Sequence, residues 1–290
     1  QDSSSAASDV YKRQGIIYCL SRKNVEELSQ LLNMNGVKSL PYHAGLEKKI
    51  REENQDKFLK DECDVIVATI AFGMGIDKPD IRYVVHYSVP KSIEGYYQET
   101  GRAGRDGGKG HCLMYYSYED VEKLEKLLSK KKSSERNIGI MLLKEVSTFA
   151  ESSISRRKFL LNYFGEKYDP NINNDFEMDD NSKNIKEKIN VKDQLLFLLN
   201  NHFKNNKKVF VRDIIKDLPI DEKNGIDEKF WRTIITYSIV EGFLEKDISD
   251  FTTVKISNFG VEFISNPTEF YLSRDNDFSK TKKIENQSVK

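Results

Sequence analysis

"DVIVATIAFGMGIDKPDIRYVVHYSVP", Asp64–Pro90, sets two apolar runs on either side of a loop of glycine, aspartate, lysine and proline. Asp64–Thr69 and Ile81–Tyr87 are rich in β-branched residues and short, so each reads as a strand buried on both faces. Gly73 and Gly75 permit a tight path between them. Working outward, "GIIYCL" at Gly15–Leu20 and "GHCLMYY" at Gly110–Tyr116 are further strand-like runs, and "VKSLPYHAG" holds a short strand and a loop. Helical spacing separates these runs. Ser21 caps a helix through Val25, Leu28, Leu31 and Leu32 that Asn35-Gly36 stops; Glu47–Leu59 is a second helix, and Ser92 toward Gly101 a third. Strands alternating with helices at this spacing predict an α/β domain with a parallel sheet covered on both faces. Such sheets bind ligands beyond the carboxyl ends of their strands, so a site is expected in the loops after Ala68 and before Gly104.

Charge is balanced, with 46 basic and 46 acidic residues among 290, so any basic surface for a nucleic acid must be local. No apolar run has the roughly 18 residues of a membrane span. Cys19 and Cys112 lie in apolar runs and Cys63 just precedes one, which reads as buried reduced thiols in a cytosolic protein, with no CxxC metal pair. "QDSSSAASDVYKRQ", residues 1–14, is small, polar and without an apolar segment; it reads as a translated sequencing-adaptor leader or a disordered tail, without function either way.

Downstream, Glu119–Leu128 is amphipathic, "SKKKSSER" reads as a solvated break, and Ile138–Leu161 as one or two helices. "NYFGEKYDPNINNDFEMDDNSKN" is polar and turn-rich, the best linker in the chain. From Asn190 the pattern changes: "VKDQLLFLLNNHF" is helical, "VFVRDIIKDL" is a short strand leading into a helix, and "EKFWRTIITYSIVEGFL" is a helix ending near Gly242. A hairpin follows around Asp247–Phe251, then "VEFI". Helices followed by a two-stranded wing make a winged helix. Residues after about Ser273 read as frayed.

"QETGRAGRDGG", Gln98–Gly108, places Arg102 and Arg105 three apart on backbone that can approach a ligand. Arginine forks suit carboxylates and phosphates. Alone, this would read as a surface turn with solvated arginines. Its companions change that: "YHAGL" (Tyr42–Leu46), "VATIAFGMGIDKPDIRYVVHYSVP" (Val67–Pro90) and "YYQETGRAGRDGG" occur in order, each between a strand and a loop. Together they resemble the second RecA-like domain of superfamily 2 helicases, and within them the RecQ family. "GIIYCLSR" resembles that family's fourth motif, "AFGMGIDKP" its fifth and "QETGRAGRDG" its sixth. The resemblance covers about Gly15–Tyr118, and "RRKFLLNYFGE" continues it.

This resemblance implies a RecA-like domain over 15–128, a helical hairpin related to the RecQ zinc subdomain over 129–188, a winged helix over 189–274 and a disordered tail over 275–290. It implies ATP with Mg²⁺ as ligand, DNA at a single-strand/duplex junction as partner, and a cytoplasmic protein, at the nucleoid in a bacterium. Arg105 is the implied arginine finger, Arg102 a second phosphate contact and Gln98 a coupling residue. Gly73, Gly75, Gly101 and Gly104 would shape the nucleotide's surroundings, with Asp77 on the ribose. Thr69, Lys78 and Asp77 can serve nucleotide or DNA. Ser21, Arg22, His43 and the Gly45 amide would meet a DNA backbone, although His43 alone reads equally as a partly buried polar residue. His86 and Trp231 read as core. Arg232 would face a duplex phosphate, and Phe251 would tip a strand-separating wing.

Two departures stand out. The family's first zinc cysteine corresponds to Ser155, and "PNINNDFEMDDN" holds none of the other three, so no zinc is expected and the hairpin is assigned to Phe159, Leu160, Tyr163 and Phe164. Nor does the chain contain a GxxxxGKS/T phosphate loop or an acidic Mg²⁺ motif, which belong to a first RecA-like domain. The expected function is therefore the carboxyl-terminal part of an ATP-dependent 3′-to-5′ DNA helicase of repair and recombination. The alternative is a non-catalytic DNA-binding module, inactive as an ATPase in isolation. A degenerate helicase fits less well, because the motif residues are intact.

Overall fold

The computed structural model describes residues 14–73, 76–169, 178–183, 186–203, 207–247 and 253–278. Gly75 and Phe251 lie outside them. The chain divides into two compact units, Gln1–Ser147 and Thr148–Lys290.

The first unit is built on β1 (Gly15–Tyr18), α1 (Arg22–Met34), β2 (Ser39–Tyr42), α2 (Lys48–Leu59), β3 (Val65–Ala68), β4 (Tyr83–His86), α3 (Ile93–Thr100), β5 (His111–Met114) and α4 (Tyr118–Ser129). The five strands are parallel in the order β2-β3-β1-β4-β5. Alternation along the strands supplies two cores. Ile16, Tyr18, Ile66, Ala68 and Val84 pack with Phe58 of α2, while Ile17, Val65, Val67 and Tyr83 pack with Val25, Leu28 and Leu32 of α1. Side-chain caps start three helices: Ser21 accepts from Asn24, Ser92 from Gly95 and Ser117 from Asp120.

Two expectations about this unit need correction. β5 is an edge strand, paired only with β4, and Cys112 on it is exposed; Cys19 and Cys63 are buried as read. The arginine loop also enters from the other end of the sheet. Because β5 runs parallel to β4, the chain leaving α3 must return to the amino ends of these strands. There the Gly104 amide donates to Ile81 O and the His111 amide to Arg82 O. Only the segment after Ala68 leaves a carboxyl end.

The break expected over "SKKKSSER" is shorter than read, because α5 (Ser133–Glu151) already begins at Ser133. The unit boundary falls inside this helix. In the second unit come α6 (Arg156–Tyr163), α7 (Asp180–Lys183), β6 (Ile189–Asn190), α8 (Lys192–His202), β7 (Val209–Phe210), α9 (Val211–Lys216), α10 (Glu228–Val240), β8 (Leu244–Lys246), β9 (Thr253–Ile256), α11 (Asn258–Ser265) and β10 (Tyr271–Leu272). β8 and β9 form the expected antiparallel hairpin within a three-stranded sheet, β7-β9-β8. Trp231 is buried, its indole donating to Pro219 O at 2.7 Å. Residues just after Ser273 are held rather than frayed: Asp275 accepts from Thr233 Oγ1 at 2.7 Å and from the Ser153 amide at 3.1 Å, and the Asn276 amide donates to Glu151 O.

Candidate nucleotide and DNA-binding site

The segment leaving β3 and the loop leaving α3 meet around two arginines. After Ala68 the chain turns back, the Phe72 amide donating to Thr69 O, and Phe72 is locked into the core. Tyr18, at the end of β1, donates its hydroxyl to Phe72 O at 3.1 Å. Burial pushes the Tyr18 phenol up, against a downward pull from the Arg102 guanidinium beside it. Arg102 lies across Gly73: a Cβ there would sit 2.5 Å from Nη2, so any side chain would push the guanidinium aside. Its Nε is buried without a hydrogen-bond partner. Such an orphaned donor is costly unless something accepts from it.

Arg105 is held differently. Its Nε donates to Gly101 O at 3.2 Å, while Nη1 reaches Ile76 O and Asp77 Oδ1 only at 3.5 and 3.4 Å. Those contacts sit at the limit of hydrogen bonding, and the side chain is 40% exposed. Asp77 is 93% exposed and Gln98 is exposed on α3. The loop beneath is rigid. Gly104 has φ +69°, and a Cβ on it would meet Gly108 O at 2.4 Å. Asp106 makes a two-pronged ion pair with Arg82 and accepts from the Gly108 amide, which lowers its carboxyl to about 2. His86 of β4 is buried against Tyr18 and Tyr96 and bonds Glu99 at 2.6 Å, fixing α3 just before the arginines.

Three family models match: "Helicase conserved C-terminal domain" over residues 6–107, "RecQ zinc-binding" over 118–176 and "RQC domain" over 223–281. Over the segments these models match, the chain belongs to the RecQ family. It is 49% identical over 160 residues to the RecQ-like DNA helicase blm-1 of Caenorhabditis elegans, covering 54% of this chain and 16% of that protein. It is 49% identical over 164 residues to RecQ-like DNA helicase BLM of Xenopus laevis, covering 54% of this chain and 12% of that protein. It is 50% identical over 155 residues to the ATP-dependent DNA helicase RecQ of Pasteurella multocida, covering 53% of this chain and 24% of that protein. The match thus spans a quarter or less of these relatives.

Several residues that RecQ resemblance assigns to DNA have other uses in this RecQ chain. His43 is buried; its Nδ1 accepts from the Gly45 amide at 3.1 Å, so Nε2 donates to Glu26 at 3.0 Å, and both His43 and that amide are spent. Lys78 is buried between Asp61 and Asp80, each at 2.9 Å, because a buried ammonium needs carboxylates around it. Ser21 is committed as a cap, Thr69 is half-buried with its hydroxyl near the Ala71 amide, and Arg22 is exposed over Gly45. In the RQC-matched segment α10 is buried on most sides; its one exposed cation, Arg232, pairs with Glu228. Residue patterns had no signal for the Arg82–Asp106 and His86–Glu99 pairs, which only the strand order brings together.

The residues present fit the arginine side of a phosphate site. They do not fit Mg²⁺: the exposed carboxylates beside the arginines, Asp77 and Asp106, are each paired with an arginine, Arg105 and Arg82. They do not fit Zn²⁺ either. No cysteine or histidine occurs between residues 113 and 201, so a structural site of thiolates and imidazoles has no ligands there.

No helix among the described residues is long and apolar enough to cross a membrane.

Proposed function

We propose that this chain supplies the arginine half of an ATP site to a 3′-to-5′ DNA helicase of repair and recombination, working on DNA in the cytoplasm or nucleoid. A first RecA-like domain would supply the phosphate loop and Mg²⁺ ligands. The observation carrying this is the pair of guanidiniums on one clamped loop, Arg102 with a buried unpartnered Nε over Gly73 and Arg105 on long, weak contacts. Both have donors to spare for an anion. Hydrolysis concentrates negative charge on the γ-phosphoryl oxygens, and a guanidinium placed there lowers the barrier. Arg105 is the more loosely held and takes the finger's role; Arg102 is the second phosphate contact. Gly73, Gly75, Gly101 and Gly104 shape the backbone around the nucleotide, Asp77 offers an acceptor to the ribose, and Gln98 couples the loop to DNA.

For DNA we retain Arg22, with Ser21 and Thr69 beside it, and in the winged helix Arg232 and Phe251. His43, Gly45 and Lys78 are withdrawn to structural roles, so duplex affinity from this chain is modest. We assign 15–128 to the RecA-like domain, 129–188 to a zinc-free helical region and 189–274 to the winged helix. The test is a chimera in which the Pasteurella relative's matching segment is replaced by residues 14–128. It is expected to hydrolyse ATP with DNA, while this chain alone does not; hydrolysis by the isolated chain would overturn the half-site reading.

A further inference from the structure

The RecQ zinc-binding match ends at residue 176, three residues before the most heavily used carboxylate in this region. Asp179 accepts five hydrogen bonds. Oδ1 takes the amides of Asn181 and Ser182, both at 2.9 Å, which caps α7. Oδ2 takes the Ser155 hydroxyl at 2.9 Å, the Arg156 amide at 3.1 Å and the Ser182 hydroxyl at 2.9 Å. Ser155 is itself the cap of α6, so its oxygen accepts from the Lys158 amide while its proton goes to Asp179. One carboxylate thus closes the amino ends of two helices, where partial positive charge and unpaired amides collect.

Neighbouring contacts follow the same line. The Asn181 side-chain amide donates to Ser152 O at 2.8 Å and Ile154 O at 2.7 Å, pinning the turn before α6. Asp180 pairs with Arg156 through both oxygens at 2.9 Å, and that guanidinium lowers its carboxyl. The helix it anchors is packed by Phe159, buried and edge-on to Phe149 at 5.4 Å, while Tyr163 and Phe164 meet edge to face at its far end and Phe164 is 40% exposed.

We infer that Asp179 is an anionic staple that takes over the cross-linking task a metal would perform at Ser155, joining 152–156 to 179–182 without a cation. A zinc ion joins separated chain segments by drawing anionic ligands to a cation. Here the polarity is inverted: a central anion draws in amides and hydroxyls. Oδ2 already holds three donors, so it keeps no lone pair for a cation, and the Ser155 hydroxyl is committed as donor to Asp179 and acceptor from the Lys158 amide. The staple rests on the zinc-free reading of 129–188, and two measurements on the 290-residue chain separate them.

The first is zinc content after purification in zinc-supplemented medium, with unfolding temperature followed with and without a chelator. The expected result is substoichiometric zinc and no chelator shift; stoichiometric zinc, lost with a drop in unfolding temperature, overturns the zinc-free reading and the staple with it. The second is a cycle of Ser155→Ala, Asp179→Asn and the double variant, read as unfolding temperature. An amide keeps one acceptor oxygen and loses the other, so Asp179→Asn breaks the bridge while retaining a cap. We expect it to lower the transition by about 4–8 °C, with the double variant falling clearly short of the sum. Additive losses in a zinc-free protein overturn the staple while leaving the zinc-free reading intact.

Discussion

At the scale of single residues the loop around Arg102 and Arg105 combines rigid backbone with spare guanidinium donors. Gly73→Ala puts a methyl 2.5 Å from Arg102 Nη2, so it should abolish most of the chimera's ATPase activity while leaving the unfolding temperature nearly unchanged, the guanidinium being the part that gives way. The Arg82–Asp106 clamp makes a pH prediction. The Asp106 carboxyl, held near 2 when folded, stays paired above the ordinary carboxylate pKa of about 4. Its contribution to stability is complete there and is lost as pH falls through about 2, because the unfolded chain binds the proton first. Acid titrations of unfolding should lose part of their slope between about pH 4 and 2 on Asp106→Asn; an unchanged slope would show that the clamp carries no stability. The arginines and glycines stand out in the sequence because phosphate chemistry restricts residue type and spacing. The burial of His43 and Lys78 was not legible because a polar residue beside a loop looks alike whether it faces solvent or is buried against carboxylates from other segments.

At the scale of elements, the strands and helices were legible wherever apolar period and cap agreed. β3, with four consecutive buried residues, and α3, opened by Ser92 and closed at Gly101, lie within a residue or two of expectation. The cap matters to the site because α3 delivers the arginine loop. Ser92→Ala should destabilise the first unit by about 1 kcal/mol in denaturant titrations, and a loss near zero would mean the cap is idle. Illegible was the depth of each element in the sheet. β5 has the apolar look of a buried strand yet lies at the edge, and the arginine loop enters at the amino end because a parallel neighbour requires it. Those facts depend on strand order, which local periodicity does not encode. α6 shows the converse: the missing cysteines were plain from composition, whereas the Asp179 bridge joins residues 24 apart across a polar stretch without periodicity.

At the scale of the whole molecule, two compact units carry three family signatures, and the proposed nucleotide half-site lies within the first. Its parts are a clamped loop, a cradle at Gly73 and an arginine with weak internal contacts; none supplies a phosphate loop or a metal ligand. Such an arrangement has meaning only beside a second domain, so activity should depend steeply on Arg105 and hardly at all on the loop's own stability. The most direct measurement is DNA-stimulated ATP hydrolysis by the chimera carrying residues 14–128, compared with its Arg105→Ala variant at matched unfolding temperature. A finger on the γ-phosphoryl group predicts a fall in kcat of at least ~10³-fold, about 4 kcal/mol of transition-state stabilisation; a variant that keeps its rate within about tenfold would contradict that role for Arg105.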